Sequence, residues 1–417
     1  MNQKYNIPFQ MPNFTKLQFG DRVFEVKDYY VESEEKYTIQ RAVDACAQAG
    51  GGTVLVNGGV WVSGPIHLSS NICLHLEEDA LVRFSDNPED YLPVVFTRWE
   101  GMECYNYSPL VYANGCENIK VSGKGRFYGS GAGWWSWKQL QGPAAQELCY
   151  AESNGIPVEE RIYGTVEAAL RPSFIQFINC KNIEMEDFTV EDGPQWTVHP
   201  VYCENLKITG INIKTTGPNT DGLNPDSCKN VWIEGCTFST GDDCIAINSG
   251  MNEDGWRVGK PCENVVIVDC DFNGGHGGIV IGSGMSGGVQ NIYAANCRIG
   301  AVDWGIRLKS MKGRGGYVRD VWVEDVEISG TLREAIQITM YYPYTTVEPK
   351  NNVLPEFSHI YIDNVRGYSD QYALLIRGLP EKKLTDIKLS NIKLKAPKGI
   401  VCDSVENLSV DNVEIEA

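Results

Sequence analysis

Apolar and polar residues alternate in short runs that return along most of this chain. The clearest runs are CENIKVSG from Cys116, CKNIEMED from Cys180, CENLKITG from Cys203, CKNVWIEG from Cys228 and CENVVIVD from Cys262. Weaker copies continue towards the C-terminus as VQNIYAAN, VRDVWVED, FSHIYIDN, LTDIKLSN and VENLSVDN. An alternation with a period of two places successive side chains on opposite faces of a strand, so each run predicts one strand.

The third residue of each run marks the period of the repeat. These marker residues are Asn182, Asn205, Asn230, Asn264, Asn291, Asp320, His359, Asp386 and Asn407. They are separated by 23, 25, 34, 27, 29, 39, 27 and 21 residues, a spacing typical of repeats that stack on their neighbours. We therefore predict an all-β fold, a right-handed parallel β-helix that forms a single domain over residues 1–417. The marker residues are expected at a turn, where their side chains satisfy backbone groups.

Two segments depart from this repeat. Residues 37–52 place Ile39, Ala42, Val43 and Cys46 at helical spacing before three glycines. This pattern predicts an amphipathic N-terminal helix that covers the open end of the β-helix.

Between about 92 and 170 the repeat nearly vanishes and aromatic residues cluster: Trp99, Tyr105, Tyr107, Trp134, Trp135 and Trp137. This aromatic-rich insertion is either a packed loop or a lid or sugar-stacking wall at one end of a cleft.

Composition and charge narrow the range of functions. The net charge of −18 argues against nucleic acid as a partner, and an anionic substrate would need locally placed cations. No run of about 18 apolar residues predicts a membrane span. The 14 cysteines are too sparse for a disulfide scaffold and form no CxxC pair, so buried reduced thiols are expected. The first residues, MNQKYNIPFQMPNF, resemble no signal peptide. We therefore expect a cytoplasmic protein, or a secreted one if the N-terminus has been trimmed.

Three carboxylates give the strongest chemical signal. Asp221 precedes the adjacent pair Asp242 and Asp243 by 21 residues, which is about one coil. Because neighbouring coils stack about 4.8 Å apart, these carboxylates are expected to crowd into one cleft. There the pKa of one carboxyl group rises, so that this group can act as an acid. Taken alone, Asp-Gly and Gly-Asp-Asp are also ordinary turn sequences.

Three further charged residues fall on the next two coils. His276 lies in GGHGG, and Arg307 and Lys309 lie in GIRLKS. The two cations are two residues apart on a strand and therefore share a face. A histidine between glycines is typical of a loop, and an Arg-x-Lys pair is typical of a solvated face. Their spacing nevertheless permits one column with the three aspartates.

Four motifs, in this order, resemble the motif blocks of glycoside hydrolase family 28, the polygalacturonases. They are NTD at 219–221, GDD at 241–243, GHG at 275–277 and RLK at 307–309. The likeness covers nearly the whole chain, and PVVFTRWEGMECYNYSPL, RPSFIQF and QWTVHP resemble bacterial exo-acting members. Leu308 stands where many members have Ile. The region FGDRVFEVKDYYVESEEKYT lacks the Gly-Asp-Gly-x-x-Asp stretch that often precedes the cap helix.

The resemblance implies an inverting hydrolase of α-1,4-galacturonide bonds, with no metal and no cofactor. It implies Asp242 as the general acid, with Asp221 and Asp243 binding and deprotonating the attacking water. His276 would hydrogen-bond near the acid and help to hold its proton. The acid and base of an inverting site are expected about 6.5–9.5 Å apart, which leaves room for the water.

The resemblance also implies how a galacturonide oligosaccharide is held. Arg307 and Lys309 would grip the galacturonate carboxylate through charge-assisted hydrogen bonds. Further candidates for substrate contact are Asn219, Tyr341, His199 and Trp196. Exo-attack from the non-reducing end is predicted, because the aromatic-rich insertion precedes the catalytic coils and is long enough to block one end of the groove.

Three alternatives stay open. A rhamnogalacturonan-directed galacturonidase of the same family would share these motifs. A pectate lyase is also a β-helix acting on pectin, but it needs Ca²⁺-binding acids and an Arg base, and it would leave GHG unexplained. A non-catalytic β-helix that binds polysaccharide would not require three convergent carboxylates. Chain-length preference, tolerance of methyl esters and oligomeric state also stay open.

Overall fold

The computed structural model describes residues 4–345 and 348–417. The first strands are β1 (Val23–Glu25), β2 (Gly52–Val56), β3 (Gly59–Ser63), β4 (Ile66–His67), β5 (Ile72–Leu76), β6 (Ala80–Phe84), β7 (Val95–Trp99), β8 (Met102–Asn106), β9 (Val111–Asn114) and β10 (Glu117–Gly123). The chain continues through β11 (Arg126–Tyr128), β12 (Ile175–Ile178), β13 (Lys181–Glu186), β14 (Thr189–Glu191), β15 (Glu204–Thr209), β16 (Asn212–Lys214), β17 (Lys229–Glu234), β18 (Thr237–Ser239), β19 (Ile245–Ile247) and β20 (Cys262–Val268). The last strands are β21 (Asp271–Phe272), β22 (Gly275–Ile281), β23 (Val289–Lys309), β24 (Tyr317–Thr331), β25 (Glu334–Thr339), β26 (Glu356–Tyr368), β27 (Tyr372–Arg377), β28 (Leu384–Lys395), β29 (Lys398–Asp403) and β30 (Val405–Glu416).

Helices are few and short beside these strands. The α-helices are α1 (Thr38–Gln48), α2 (Gly142–Ser153) and α3 (Asn252–Val258). Single 3₁₀ turns lie at Val26–Tyr29, Glu32–Tyr37, Pro88–Tyr91, Gly131–Gly133, Trp135–Gln139 and Val158–Glu160. Among the residues that the structure describes, no helix is both long and apolar enough to cross a membrane.

The strands wind into a right-handed parallel β-helix, which confirms the predicted fold. Most coils contribute one strand to each of three sheets, although the coils that contain Val198 and Leu223 meet the third sheet only through isolated bridges. The first sheet contains β13, β15, β17 and β20, and the second contains β14, β16, β18 and β21. The third sheet contains β19, β22, the end of β23, β25 and β27. Inside the coil, apolar side chains stack in register, as Leu206, Val231, Val265 and Ile292 do in the first sheet. All four are fully buried.

The marker residues lie at a turn, as predicted. Every marker from Asn182 to Asn407 has a positive φ, in the left-handed region that Asn and Asp tolerate better than most residues. Successive asparagines also form a hydrogen-bonded ladder. The amide of Asn205 donates to Asn182 at 3.2 Å, that of Asn230 donates to Asn205 at 3.0 Å, and that of Asn264 donates to Asn230 at 2.9 Å. Each amide therefore donates to the side chain of its neighbour on the preceding coil, and not to backbone groups as predicted.

Most of the cysteines are buried, and many of them line the interior of the coils. All 14 are free thiols, and 12 of them are buried, whereas Cys116 is half-buried and Cys402 is exposed. Cys180, Cys203 and Cys228 stand at equivalent positions before successive first-sheet strands. They pack as small apolar residues at this position.

The N-terminal end of the β-helix is covered by helix α1. Its buried residues Ile39, Ala42, Val43 and Cys46 form one face at helical spacing. The extended segment before β1 lies elsewhere, against the outer surface of the first sheet. There Tyr5, Ile7, Phe9, Met11 and Phe14 pack on a cluster that includes Trp232 and Tyr293.

The structure divides the aromatic-rich insertion into two pieces, because β9, β10 and β11 form a coil between them. The first piece carries the antiparallel hairpin β7–β8, and the second carries helix α2. Trp99, Tyr107, Trp134 and Trp137 are buried, and the last three pack on one another. Tyr107, Trp134 and Trp137 belong to the main core of the β-helix, and Trp99 packs in a separate cluster with residues of helix α2. Because all four side chains are buried, they do not form a sugar-stacking wall.

Candidate active site

The three aspartates lie two or three residues before paired positions of the third sheet. Leu223 pairs with Ile245, and Ile245 pairs with Ile279, on three successive coils. Counting back from these pairs, Asp221 lies beside Asp243, and Asp242 lies beside His276. The sequence spacing had placed Asp242 at the same phase as Asp221. That detail was wrong by one residue, because the pairing of the strands and not the count along the chain sets the register.

The carboxylates form one tight cluster. One oxygen from each of Asp221, Asp242 and Asp243 lies within 4.8 Å of the others. This is closer than the 6.5–9.5 Å expected for the acid and base of a two-carboxylate inverting site. The physical reason is the fold, because stacked coils are only about 4.8 Å apart. The Oδ1 atom of Asp243 is buried and has no hydrogen-bond partner among the described residues.

Burial and crowding separate the proton affinities of these groups. Burial raises the pKa of Asp221 well above its ordinary value of 3.8, and the charges of Asp242 and Asp243 raise it further. Burial is the largest single influence on Asp242 and acts to raise its pKa. The hydrogen bond and charge of His276, together with the charge of Lys309 and the backbone N–H of Asp243, outweigh burial, so this pKa is lowered. The sequence predicted that one crowded carboxyl group would have a raised pKa. In the free cleft that group is Asp221 and not Asp242.

His276 lies beside the predicted acid. Its Nδ1 atom is 3.1 Å from Asp242 Oδ1, and 52% of its side chain is exposed. The bond to Asp242 raises the pKa of His276 above 6.5. The flanking glycines permit this close approach: Gly275 has φ +144°, and a Cβ on Gly277 would lie 2.8 Å from Asp243 Oδ1. The GHG motif thus combines a proton donor with two positions that have no room for a side chain.

The two predicted cations line the same cavity. The Nζ atom of Lys309 forms a buried ion pair with Asp243 Oδ2 at 2.6 Å. Burial acts to lower the pKa of Lys309, but Asp243 and Tyr342 together outweigh burial and the pKa is raised. The Nε atom of Arg307 donates to Gln337 Oε1 at 2.8 Å, and its guanidinium stacks on Trp304 at 3.5 Å from the ring centroid.

These groups meet in a cavity of about 690 Å³. Of the sequence-predicted residues, the cavity is lined by Trp196, Asn219, Asp221, Asp242, Asp243, His276, Arg307 and Lys309. The structure therefore brings eight of the ten candidates together. Asn219 also donates to Asp242 Oδ2 at 3.5 Å.

The other two candidates do not line the cavity. His199 is fully buried, where it is 3.4 Å from Asp226 and close to Gln176 and Ser173. It lies behind Trp196, at 4.7 Å between ring centroids, and no surface is left for a sugar. Tyr341 is 40% exposed but faces Arg377. Its neighbour Tyr342 lines the cavity instead, near Lys309 and Arg307.

Some residues of the site were missed by the sequence reasoning. Arg171 is buried and anchors the NTD loop, since it donates to Asn219 Oδ1 at 2.8 Å and to the carbonyl oxygens of Pro194 and Pro218. Arg171 begins the quoted RPSFIQF stretch, which was a usable signal. Trp304 precedes RLK by three residues, and no pattern in the sequence distinguishes it from aromatic residues of the core.

The three aspartates are also the group of side chains best placed to hold a cation. Lys309 already contributes a positive charge beside Asp243. No other cluster of three metal-ligating side chains occurs in the described parts of the chain.

Comparisons with known proteins give a consistent result. Residues 161–414 match the model of the glycosyl hydrolases family 28. A probable polygalacturonase of Vitis vinifera is 30% identical over 377 residues, which span 86% of this chain and 71% of that protein. An exo-poly-alpha-D-galacturonosidase of Dickeya chrysanthemi is 25% identical over 73% of this chain and 54% of its own length.

Among solved structures, the hyperthermoactive exopolygalacturonase from Thermotoga maritima superposes with a TM-score of 0.92 at 37% identity. The match covers 97% of this chain and 94% of that one. By contrast, the chain spans only about half to two thirds of the length of several other plant polygalacturonases that it matches.

Proposed function

This chain belongs to glycosyl hydrolases family 28, and we propose that it hydrolyses α-1,4-galacturonide bonds with inversion of the anomeric centre. Its substrates in this proposal are short pectic oligosaccharides, from which it releases galacturonic acid at the non-reducing end. One observation carries the proposal: three carboxylates, a histidine and two cations line the same cavity. The carboxylates supply acid–base chemistry, and the cations select an anionic sugar in a chain whose net charge is −18.

Asp242 acts as the general acid together with His276. The hydrogen bond to Asp242 raises the pKa of His276 above 6.5, so its imidazole holds a proton to higher pH than a free histidine does. Because Nδ1 is 3.1 Å from Asp242 Oδ1, the proton can pass to the carboxylate and from there to the glycosidic oxygen as the bond breaks. Asp242 is also the least buried of the three carboxylates, so it is the one that a substrate reaches first.

Asp243 and Asp221 hold the attacking water. A water bridges two carboxylate oxygens that are up to about 5 Å apart, at ordinary hydrogen-bond lengths of about 2.8 Å. The carboxylate oxygens of the three aspartates lie within 4.8 Å of one another and so satisfy this distance. The Oδ1 atom of Asp243 has no other hydrogen-bond partner among the described residues and can accept the water's proton. Inversion follows because the water itself attacks the anomeric carbon and no covalent glycosyl intermediate is formed.

The exo mode rests on the first piece of the insertion. Glu100 and Gly101, at the tip of the hairpin β7–β8, line the cavity. The hairpin is fixed in two ways: Met251 N donates to Gly101 O at 3.1 Å, and the buried Arg98 pairs with Asp226 at 2.9 Å. A wall held by a buried ion pair blocks a polymer that would otherwise extend past the catalytic coils. The similarity to an exopolygalacturonase at 37% identity supports the same mode.

Product analysis tests this function directly. Polygalacturonate and trigalacturonate are incubated with the enzyme, and viscosity, reducing ends and products are followed, with Asp242→Asn as the inactive control. Early release of monomer with a slow fall in viscosity is expected, and proton NMR should show the β-anomer first. A rapid viscosity drop with mixed oligomers would mean an endo mode, and an α-anomer would exclude inversion. An unsaturated product that absorbs in the ultraviolet would instead indicate a lyase. Faster cleavage of rhamnogalacturonan oligomers would favour the rhamnogalacturonan-directed alternative.

A further inference from the structure

The cavity has a second cationic position, one coil beyond Arg307 and Lys309. Arg333 lies just before β25, and Tyr344 lies in the loop after it. Both line the cavity. We call these two residues the rim subsite.

Arg333 and Arg307 both pack against the ring of Trp304. We call Arg307 and Lys309, which are proposed to hold the galacturonate carboxylate, the carboxylate clamp. Its guanidinium carbon is 4.9 Å from the ring centroid of Trp304, and that of Arg307 is 3.5 Å from the same centroid. The two guanidinium groups are therefore separated by less than the sum of these distances. Trp304 is itself fixed, because its indole N–H donates to Glu334. The two cations thus stand at a defined spacing on neighbouring coils.

Arg333 is exposed and lies close enough to act electrostatically on Glu334, but it has no close ion pair in the described parts of the chain. Arg307, by contrast, is buried and donates to Gln337. A cation without a carboxylate partner, at the rim of a cavity in a strongly acidic chain, fits an anionic ligand.

Tyr344 supplies the second part of a sugar-binding surface. Its ring is 54% exposed and lies 6.4 Å from Trp304 and 5.8 Å from Tyr342, between centroids. An exposed aromatic ring held by neighbouring rings offers a flat apolar face for the C–H side of a pyranose. A cation and such a ring at one rim match a uronate, which carries a carboxylate and an apolar face.

We propose that Arg333 and Tyr344 bind the carboxylate and ring of a second uronate, next to the one held by Arg307 and Lys309. This proposal rests on the proposed galacturonide hydrolysis and adds a preference for chain length. In this arrangement one sugar lies at the three aspartates, the next is held by Arg307 and Lys309, and the rim subsite takes a third, so a disaccharide does not reach the rim subsite. A trisaccharide also reaches the rim subsite and gains its interactions.

The test compares digalacturonate with trigalacturonate in the full-length enzyme. Arg333→Gln should reduce the ratio of kcat/KM for trigalacturonate over digalacturonate about ten-fold, the effect of losing one charge-assisted hydrogen bond. Tyr344→Leu should reduce the same ratio by a smaller factor. The matched control is Arg366→Gln, which removes an exposed arginine that pairs with Glu327 and does not line the cavity. It should leave the ratio at the wild-type value.

Calorimetry on proteins that also carry Asp242→Asn measures the affinity for each sugar without its hydrolysis. There Arg333→Gln should weaken trigalacturonate about ten-fold more than digalacturonate. An equal loss for both sugars, or an unchanged ratio in both experiments, would overturn the rim subsite while hydrolysis itself stands. If the wild-type enzyme neither cleaves nor binds galacturonides, the proposed function fails and the rim subsite fails with it.

Discussion

Asp221→Asn should make this protein more stable while it removes most of the activity. The pKa of Asp221 is raised by burial and by two neighbouring carboxylates, so the folded state binds this proton more tightly than the unfolded chain does. The direction in which stability changes with pH follows from the linkage between proton binding and folding. Stability is highest below the unfolded-state pKa of about 3.9 and falls as pH rises towards the higher folded-state pKa. Asparagine cannot ionise, so the Asp221→Asn protein does not lose stability in this way as pH rises.

The size of the effect can be worked from the geometry of the cluster. Two unit charges 4.8 Å apart repel by about 3.5 kcal/mol at an effective dielectric constant near 20. Proton uptake by Asp221 relieves part of this repulsion, and Lys309 offsets another part. We therefore expect the free energy of unfolding to rise by about 1–3 kcal/mol at pH 8. For a chain of 417 residues this raises Tm by about 1–3 °C. An amide oxygen at position 221 still accepts the hydrogen bond from Asn224, which is 2.9 Å long here.

Asp226→Asn is the matched control, because Asp226 is equally buried but paired. Burial acts to raise the pKa of Asp226, yet Arg98 and His199 outweigh it and the pKa is lowered. This group therefore contributes stability above the unfolded-state pKa, and the contribution is lost as pH falls through the folded-state value. The substitution leaves Arg98 buried without its carboxylate and should cost about 3–5 kcal/mol at pH 8.

Differential scanning calorimetry of the three proteins at pH 4, 6 and 8 measures both effects. The gain for Asp221→Asn should be smallest at pH 4 and grow with pH, whereas Asp226→Asn should lower Tm most at pH 8. A destabilised Asp221→Asn protein would refute the reasoning. A gain of equal size at every pH would also do so, because it could not arise from ionisation of a crowded carboxyl group.

Four further outcomes are expected. Asp242→Asn should reduce kcat on trigalacturonate by about 10²–10⁴-fold with an unchanged circular dichroism spectrum, since it removes the general acid; unchanged turnover would exclude this role. Activity should fall as pH rises through the raised pKa of His276, because the imidazole then loses its proton, and His276→Gln should abolish that limb of the pH profile. Arg307→Gln should raise KM for galacturonides far more than KM for matched neutral galactosides; equal losses would contradict the carboxylate clamp. Mass spectrometry after alkylation of the native protein should find Cys402 labelled first, because the other thiols are buried or half-buried, and non-reducing denaturation should reveal no native disulfide.

The fold could be predicted because its determinants are local and repeated. Alternation in CKNIEMED or CENLKITG fixes which side chains enter the coil, and the recurrence of the pattern leaves few architectures. The turn at Asn205 was likewise predictable, since asparagine tolerates a positive φ and its amide can satisfy a neighbour. Asp221, Asp242 and Asp243 were found for the same reason, since they come just before paired positions on successive coils.

The sequence by itself thus determined the coils, their inner faces and the group of residues that meets in the cavity. Only the tertiary structure decided how those residues are paired. It placed Asp243 and not Asp242 beside Asp221, Tyr342 and not Tyr341 at the cavity, and His199 behind Trp196. The physical reason is that a strand pattern repeats every two residues but carries no information about register between coils. Register is set by pairing across loops of unequal length, and a shift of one residue turns a side chain to the opposite face of the sheet.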